Sequence, residues 1–82
     1  MRATERGYLL ESVGFGYVTH GSTPGAPKLT YNPGAGTLID TYAKAMNLLR
    51  TYQRVCPKEH IKKALRVVTY EYAMDVPQYR GG

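Results

Sequence analysis

Cys56 and His60 stand four residues apart, so on one continuous helical turn they share a side. That pairing offers half of a zinc site, or a thiol beside a base. A cysteine at a helix N-terminus would also hold its thiolate more readily, because the helix dipole favours negative charge there. A complete metal site needs two further ligands, and the one other histidine is His20, in a glycine-rich stretch. The expectation is a capping or partly buried cysteine and a surface histidine. Gly34-Ala35-Gly36-Thr37 precedes a helix-patterned segment and would suit a phosphate at a helix N-terminus. However, a P-loop requires a lysine after its last glycine and a dinucleotide fingerprint a third glycine, whereas the chain has Thr37 and Ile39 there. The carboxylates Glu5, Glu11, Asp40, Glu59, Glu71 and Asp75 include two at i, i+4 from lysines, Asp40 with Lys44 and Glu59 with Lys63, which suits helix stabilisation. No acid/base couple emerges. The reading is a protein without catalytic, cofactor-binding or metal-ligating residues.

The elements that would carry these residues divide the chain in two. Residues 14–36 hold Gly14, Gly16, Gly21, Pro24, Gly25, Pro27, Pro33, Gly34 and Gly36. Such a segment keeps its conformational entropy and offers little side-chain surface to bury. It reads as an extended arm over 1–36, with residues 3–13 irregular or briefly extended and Lys28-Leu29-Thr30-Tyr31 an extended island. Thr37 to Asp40 resembles a capping box opening a helix, and Pro57 ends it near Val55. Pro57 also suits the first position of a second helix, with Cys56 as its cap, running to about Ala73. The β-branched and aromatic run Val67-Val68-Thr69-Tyr70-Glu71-Tyr72 argues for extended structure and leaves helix or strand open there. The expected fold is therefore mainly α: a helical hairpin, about 37–55 and 57–73, within a 37–76 unit, followed by a tail over 77–82. Its apolar stripes, including Leu38, Tyr42, Leu49, Tyr52, Ile61, Leu65, Val68 and Tyr72, are the expected protein interface. Two helices cannot cover both stripes, so neighbouring chains are expected to complete them.

Charge points the same way. The 82 residues carry a formal net charge of +5, with a pI near 9.5. Between residues 38 and 66, Lys44, Arg50, Arg54, Lys58, Lys62, Lys63 and Arg66 face only Asp40 and Glu59. Arg50, Arg54, Lys58, Lys62, Lys63 and Arg66 are thus the candidates for an acidic partner, whether a protein surface, an anionic lipid headgroup or RNA. No apolar run approaches the roughly 18–20 residues needed to cross a bilayer, so the chain reads as not membrane-spanning. Glu5 and Glu11 flank the short Tyr8-Leu9-Leu10 patch, a poor match to a secretory signal or a mitochondrial presequence. The single cysteine excludes an internal disulfide, suiting an intracellular, reducing setting or support from partners.

Eight tyrosines against one phenylalanine and no tryptophan favour an interface, since a tyrosine buries a ring while its hydroxyl reaches a polar group. Arg50, Tyr52 and Arg54 interleave cations with an aromatic ring, so an RNA-binding subunit of a ribosome-like particle is one alternative. The ending Tyr79-Arg80-Gly81-Gly82 resembles, over three residues, the Arg-Gly-Gly terminus of ubiquitin-like modifiers. That resemblance implies Gly82 as a conjugating residue, and a fold opening on a strand hairpin with one main helix. The first expectation remains a non-catalytic accessory subunit of a large multi-protein assembly, docking by its helical face and wrapping neighbours with its arm. Organellar respiratory or ATP-synthase complexes lead by analogy of style, which would make the chain mitochondrial, with virions next. On this reading the isolated chain has too little interior to fold alone.

Overall fold

Glycine, the residue that suggested a loose arm, is what lets the N-terminal half turn back on itself. The computed structural model describes residues 7–75. Strand β1 (Tyr8–Ser12) turns through Val13-Gly14-Phe15 into β2 (Gly16–Val18). Gly14 has φ +91°, a conformation that side-chain-bearing residues rarely adopt. Gly16 combines φ +121° with close approach, because a Cβ there would lie 2.6 Å from the Thr30 carbonyl oxygen. A longer hairpin then leads to β3 (Leu29–Thr30), with Thr23 bridged to Ala26 at its tip. Asn32 caps a 3-10 turn (Pro33–Ala35) by accepting from the Gly34 N–H at 2.9 Å.

Helix α1 (Tyr42–Val55) follows, capped by Thr41, whose hydroxyl accepts from the Lys44 N–H at 3.2 Å. Its end at Val55 matches the stop that Pro57 imposes, while its start lies beyond the expected Thr37. Thr37 and Leu38 instead lie outside any helix, and Ile39 exchanges two backbone hydrogen bonds with Tyr8. The short α2 (Glu59–Lys63) leads into β4 (Leu65–Thr69), and α3 (Tyr70–Asp75) closes the described chain.

The four strands form one antiparallel sheet in the order β3-β2-β1-β4. Leu10 lies opposite Val67 and Glu11 opposite Arg66 across β1 and β4, and Glu11 faces Tyr17 across β1 and β2. Both faces are covered. On one, Leu10, Val18 and Leu65 pack with Leu49 and Tyr52 of α1, and Ser12 donates its hydroxyl to the Ile61 carbonyl of α2 at 2.9 Å. On the other, Leu9, Tyr17 and Val68 pack with Ala73 of α3.

This α+β domain replaces the expected mainly α helical hairpin. The second helix of 57–73 is broken into α2, β4 and α3, because Val67-Val68-Thr69 favour the pleated surface beside β1. Nor are residues 8–36 an extended arm, since they supply three of the four strands. A chain whose arm returns as a sheet has an interior of its own, so the premise that its hairpin must borrow order from neighbours does not hold. The tail over 77–82, including the Arg-Gly-Gly ending, lies outside the described residues.

Candidate interaction surface

Three of the basic residues between 38 and 66 are neutralised within the fold. Lys44 pairs with Asp40 at 3.3 Å, and Lys62 with Glu59 at 3.4 Å, one residue short of the expected Lys63. Arg66 donates its Nε–H to Glu11 Oε1 at 2.9 Å. Glu11 is wholly buried, whereas the Arg66 side chain is partly exposed and lies 6.0 Å below the Tyr72 ring centroid. The bond to Glu11 raises the Arg66 pKa, first by hydrogen bonding and further by charge, against the opposing effect of burial. Tyr17, facing Glu11 from β2, has its pKa raised by burial first and by the Glu11 charge second. A carboxylate and an arginine 55 residues apart in sequence carry no local signal of their pairing. Only the strand register joins them.

Arg50, Arg54, Lys58 and Lys63 remain, all exposed, with no carboxylate within ion-pair distance among the described residues. Arg50 and Arg54 continue the stripe of Ala43 and Asn47 on α1, opposite buried Ala45, Leu49 and Tyr52. Lys58 is the N-cap of α2 and Lys63 its last residue. Two of the six expected acidic-partner residues, Lys62 and Arg66, are therefore engaged internally, and the other four are in no ion pair among the described residues.

The expected apolar interface divides differently. Leu49, Tyr52, Ile61, Leu65 and Val68 are built into this chain's own core. Leu38, Tyr42 and Tyr72 stay at the surface, at 45%, 56% and 42% exposure. The ring of Tyr42 meets that of Tyr8 edge-on at 5.6 Å between centroids. Tyr52, the ring between Arg50 and Arg54 in sequence, is only 2% exposed, and its hydroxyl hydrogen-bonds Ser22 Oγ at 2.7 Å. Ser22 Oγ also accepts from the Lys28 N–H at 3.0 Å, so Tyr52 latches the glycine-rich hairpin onto α1.

The other candidate groups are separated. Cys56 is buried as the C-cap of α1, its N–H donating to the Tyr52 carbonyl, and not as the cap of a second helix. Pro57 and Lys58 lie outside any helix, so Cys56 and His60 share no helical turn, and His60 instead meets Phe15 edge-on at 5.0 Å. In the Gly34 turn, the N–H groups of Gly34, Ala35, Gly36 and Thr37 go to Asn32, Asn32, Pro33 and Val18 respectively. Those donors are spent on the fold. Among the described residues no group of three or more His, Cys, Asp or Glu is placed to hold a metal ion. No helix among them is long and apolar enough to cross a membrane. No family model, curated protein or solved structure matches the chain.

Proposed function

We propose that this protein is a non-catalytic accessory subunit of a larger protein assembly, and that it engages an acidic protein surface through Arg50, Arg54, Lys58 and Lys63. The observation that carries this reading is the set of four exposed cations between residues 38 and 66 left after the internal ion pairs are assigned. Exposed pairs such as Lys44–Asp40 contribute little to stability, typically below about 1 kcal/mol, so a surface rich in uncompensated cations has little value to the fold itself. Its value lies in complementarity, where opposite potentials raise the association rate and select the partner. Leu38 and Tyr42 add apolar surface near the start of α1. RNA is the less favoured partner, because the ring that the sequence interleaves with Arg50 and Arg54, Tyr52, is buried under its own hairpin and is not available for stacking on bases.

The test is crosslinking of the tagged chain in its native source, followed by purification at moderate salt. Crosslinks from Lys58 and Lys63 into one stoichiometric protein complex are expected, and both the crosslinks and co-purification of that complex should be lost in an Arg50→Glu/Arg54→Glu variant that still folds and keeps both lysines. Recovery as a free chain would overturn the proposal. Recovery that nuclease abolishes would transfer the same cations to RNA.

A further inference from the structure

The two edges of the sheet are treated very differently. At one, β3 is two residues long and sits between Pro27 and Pro33. Brevity and proline are the usual defences of an edge strand. At the other, β4 is five residues, Leu65-Arg66-Val67-Val68-Thr69, with no proline and one charge. That charge does not guard the edge, because Arg66 is drawn across the face of the sheet to Glu11.

The register fixes which backbone groups of β4 are open. The ladder with β1 is bracketed by Tyr70 N–H to Gly7 and Val13 N–H to Ala64. Hydrogen-bonded pairs alternate in an antiparallel ladder, so Val68 and Arg66 bond to Leu9 and Glu11. The N–H and C=O groups of Leu65 and Val67, with the N–H of Thr69, therefore point away from β1. Among the described residues no hydrogen bond uses them. An ordered row of open donors and acceptors on a β-branched strand is a template for another strand.

We infer that β4 pairs with β4 of a second copy of this chain, antiparallel about a two-fold axis at Val67, to make one continuous sheet. The sequence of the edge is self-complementary in that register. Val67 meets its symmetry mate and Leu65 meets Thr69, so the outward groups of each strand answer those of the other. Arg66 falls opposite Val68 and not opposite the second Arg66. Moving the axis by one residue to Arg66 sets the two arginines against each other and presents the inward-bonded residues at the centre, which like-charge repulsion and the ladder both oppose. A two-fold contact of this kind closes on itself and does not propagate. The +5 charge on each copy opposes association, so added salt should strengthen this contact. Binding of an acidic partner by the cations of α1 and α2 should weaken under the same change, so the two contacts can be told apart.

The experiment is sedimentation velocity across micromolar concentrations at low and high salt, on the unmodified chain and on Val67→Pro. The Val67 N–H is not used by β1, so proline there removes an outward donor and leaves the internal ladder intact. Dimerisation that tightens with salt and weakens at least tenfold in Val67→Pro is expected. Amide exchange on the unmodified chain supplies the second measurement should that variant unfold, with Leu65 and Val67 slowing as concentration rises. A chain that stays monomeric while those amides exchange freely would overturn the inference, as would a dimer indifferent to Val67→Pro. Protection of Leu65 and Val67 only when a different protein is added gives the edge to a foreign strand and equally overturns it.

Discussion

The two faces of the sheet are built on opposite principles. Under α1 and α2 the contacts of Leu10, Val18, Leu65, Leu49 and Tyr52 are mostly hydrocarbon, with the hydroxyls of Ser12 and Tyr52 satisfied locally. Under α3, Leu9, Tyr17, Val68 and Ala73 form the cluster, and the Glu11–Arg66 pair lies on the same face of the sheet. The first face gains stability from area removed from water and from close packing, which salt and pH hardly touch. The second includes a buried carboxylate, whose desolvation must be offset by hydrogen bonds and a cation. The difference teaches that one small domain can keep a face that fixes stability and a face that responds to its surroundings.

The comparison is broken most severely on the hydrocarbon side. Leu10 is 1% exposed at the centre of its cluster, so Leu10→Ala is expected to cost about 3 kcal/mol, measured by urea denaturation. That cost should be the same at low and high salt. A strongly salt-dependent loss would mean that the α1 face is not the dry one.

On the other face, Arg66→Met takes the guanidinium from Glu11 and is expected to cost about 2 kcal/mol, reduced from a fully buried pair because Arg66 is itself partly exposed. Adding Glu11→Gln should return part of that loss, and the double-mutant cycle isolates the pair. Purely additive single effects would show that the ion pair is not what holds this face.

Tyr52→Phe probes a buried tyrosine hydroxyl on the hydrocarbon side. Loss of its bond to Ser22 should cost about 1 kcal/mol and speed amide exchange across residues 19–28, with little change in β1. Exchange that quickens evenly over the whole domain would remove the latch as a local device.

How much of this was legible in the chain follows from the same contrast. The end of α1 at Pro57, the Asp40–Lys44 pair and the extended character of Leu29-Thr30 all depend on neighbours in sequence and could be read there. The sheet could not. Leu9 and Leu10 are adjacent and both buried, because the sheet is covered on both sides, so β1 shows no alternation of apolar and polar residues. Gly14 and Gly16 are needed for a turn and a close approach, and composition alone cannot distinguish that use from disorder. In the second half, Ile61, Leu65, Val68 and Tyr72 keep helical spacing across α2, β4 and α3, so a real periodicity crosses three elements. For the candidate surface, counting charges showed the excess, but separating Arg50, Arg54, Lys58 and Lys63 from Arg66 required the strand register.

The smallest expected effect is also the most specific to the charged face. Tyr17 holds its proton more tightly in the folded chain than a free tyrosine does, first because burial penalises the phenolate and then because Glu11 repels it. Below about pH 10 the phenol is protonated in both folded and unfolded chains, and stability should not depend on it. Above that, the unfolded chain releases the proton while the folded chain retains it, so stability must fall as pH rises through the folded value. The informative quantity is the difference between the wild type and Tyr17→Phe. Thermal melts from pH 8 to 11 should show a shallower alkaline decline in the variant. If Tyr17→Phe declines as steeply as the wild type, the electrostatic distinction between the faces is lost.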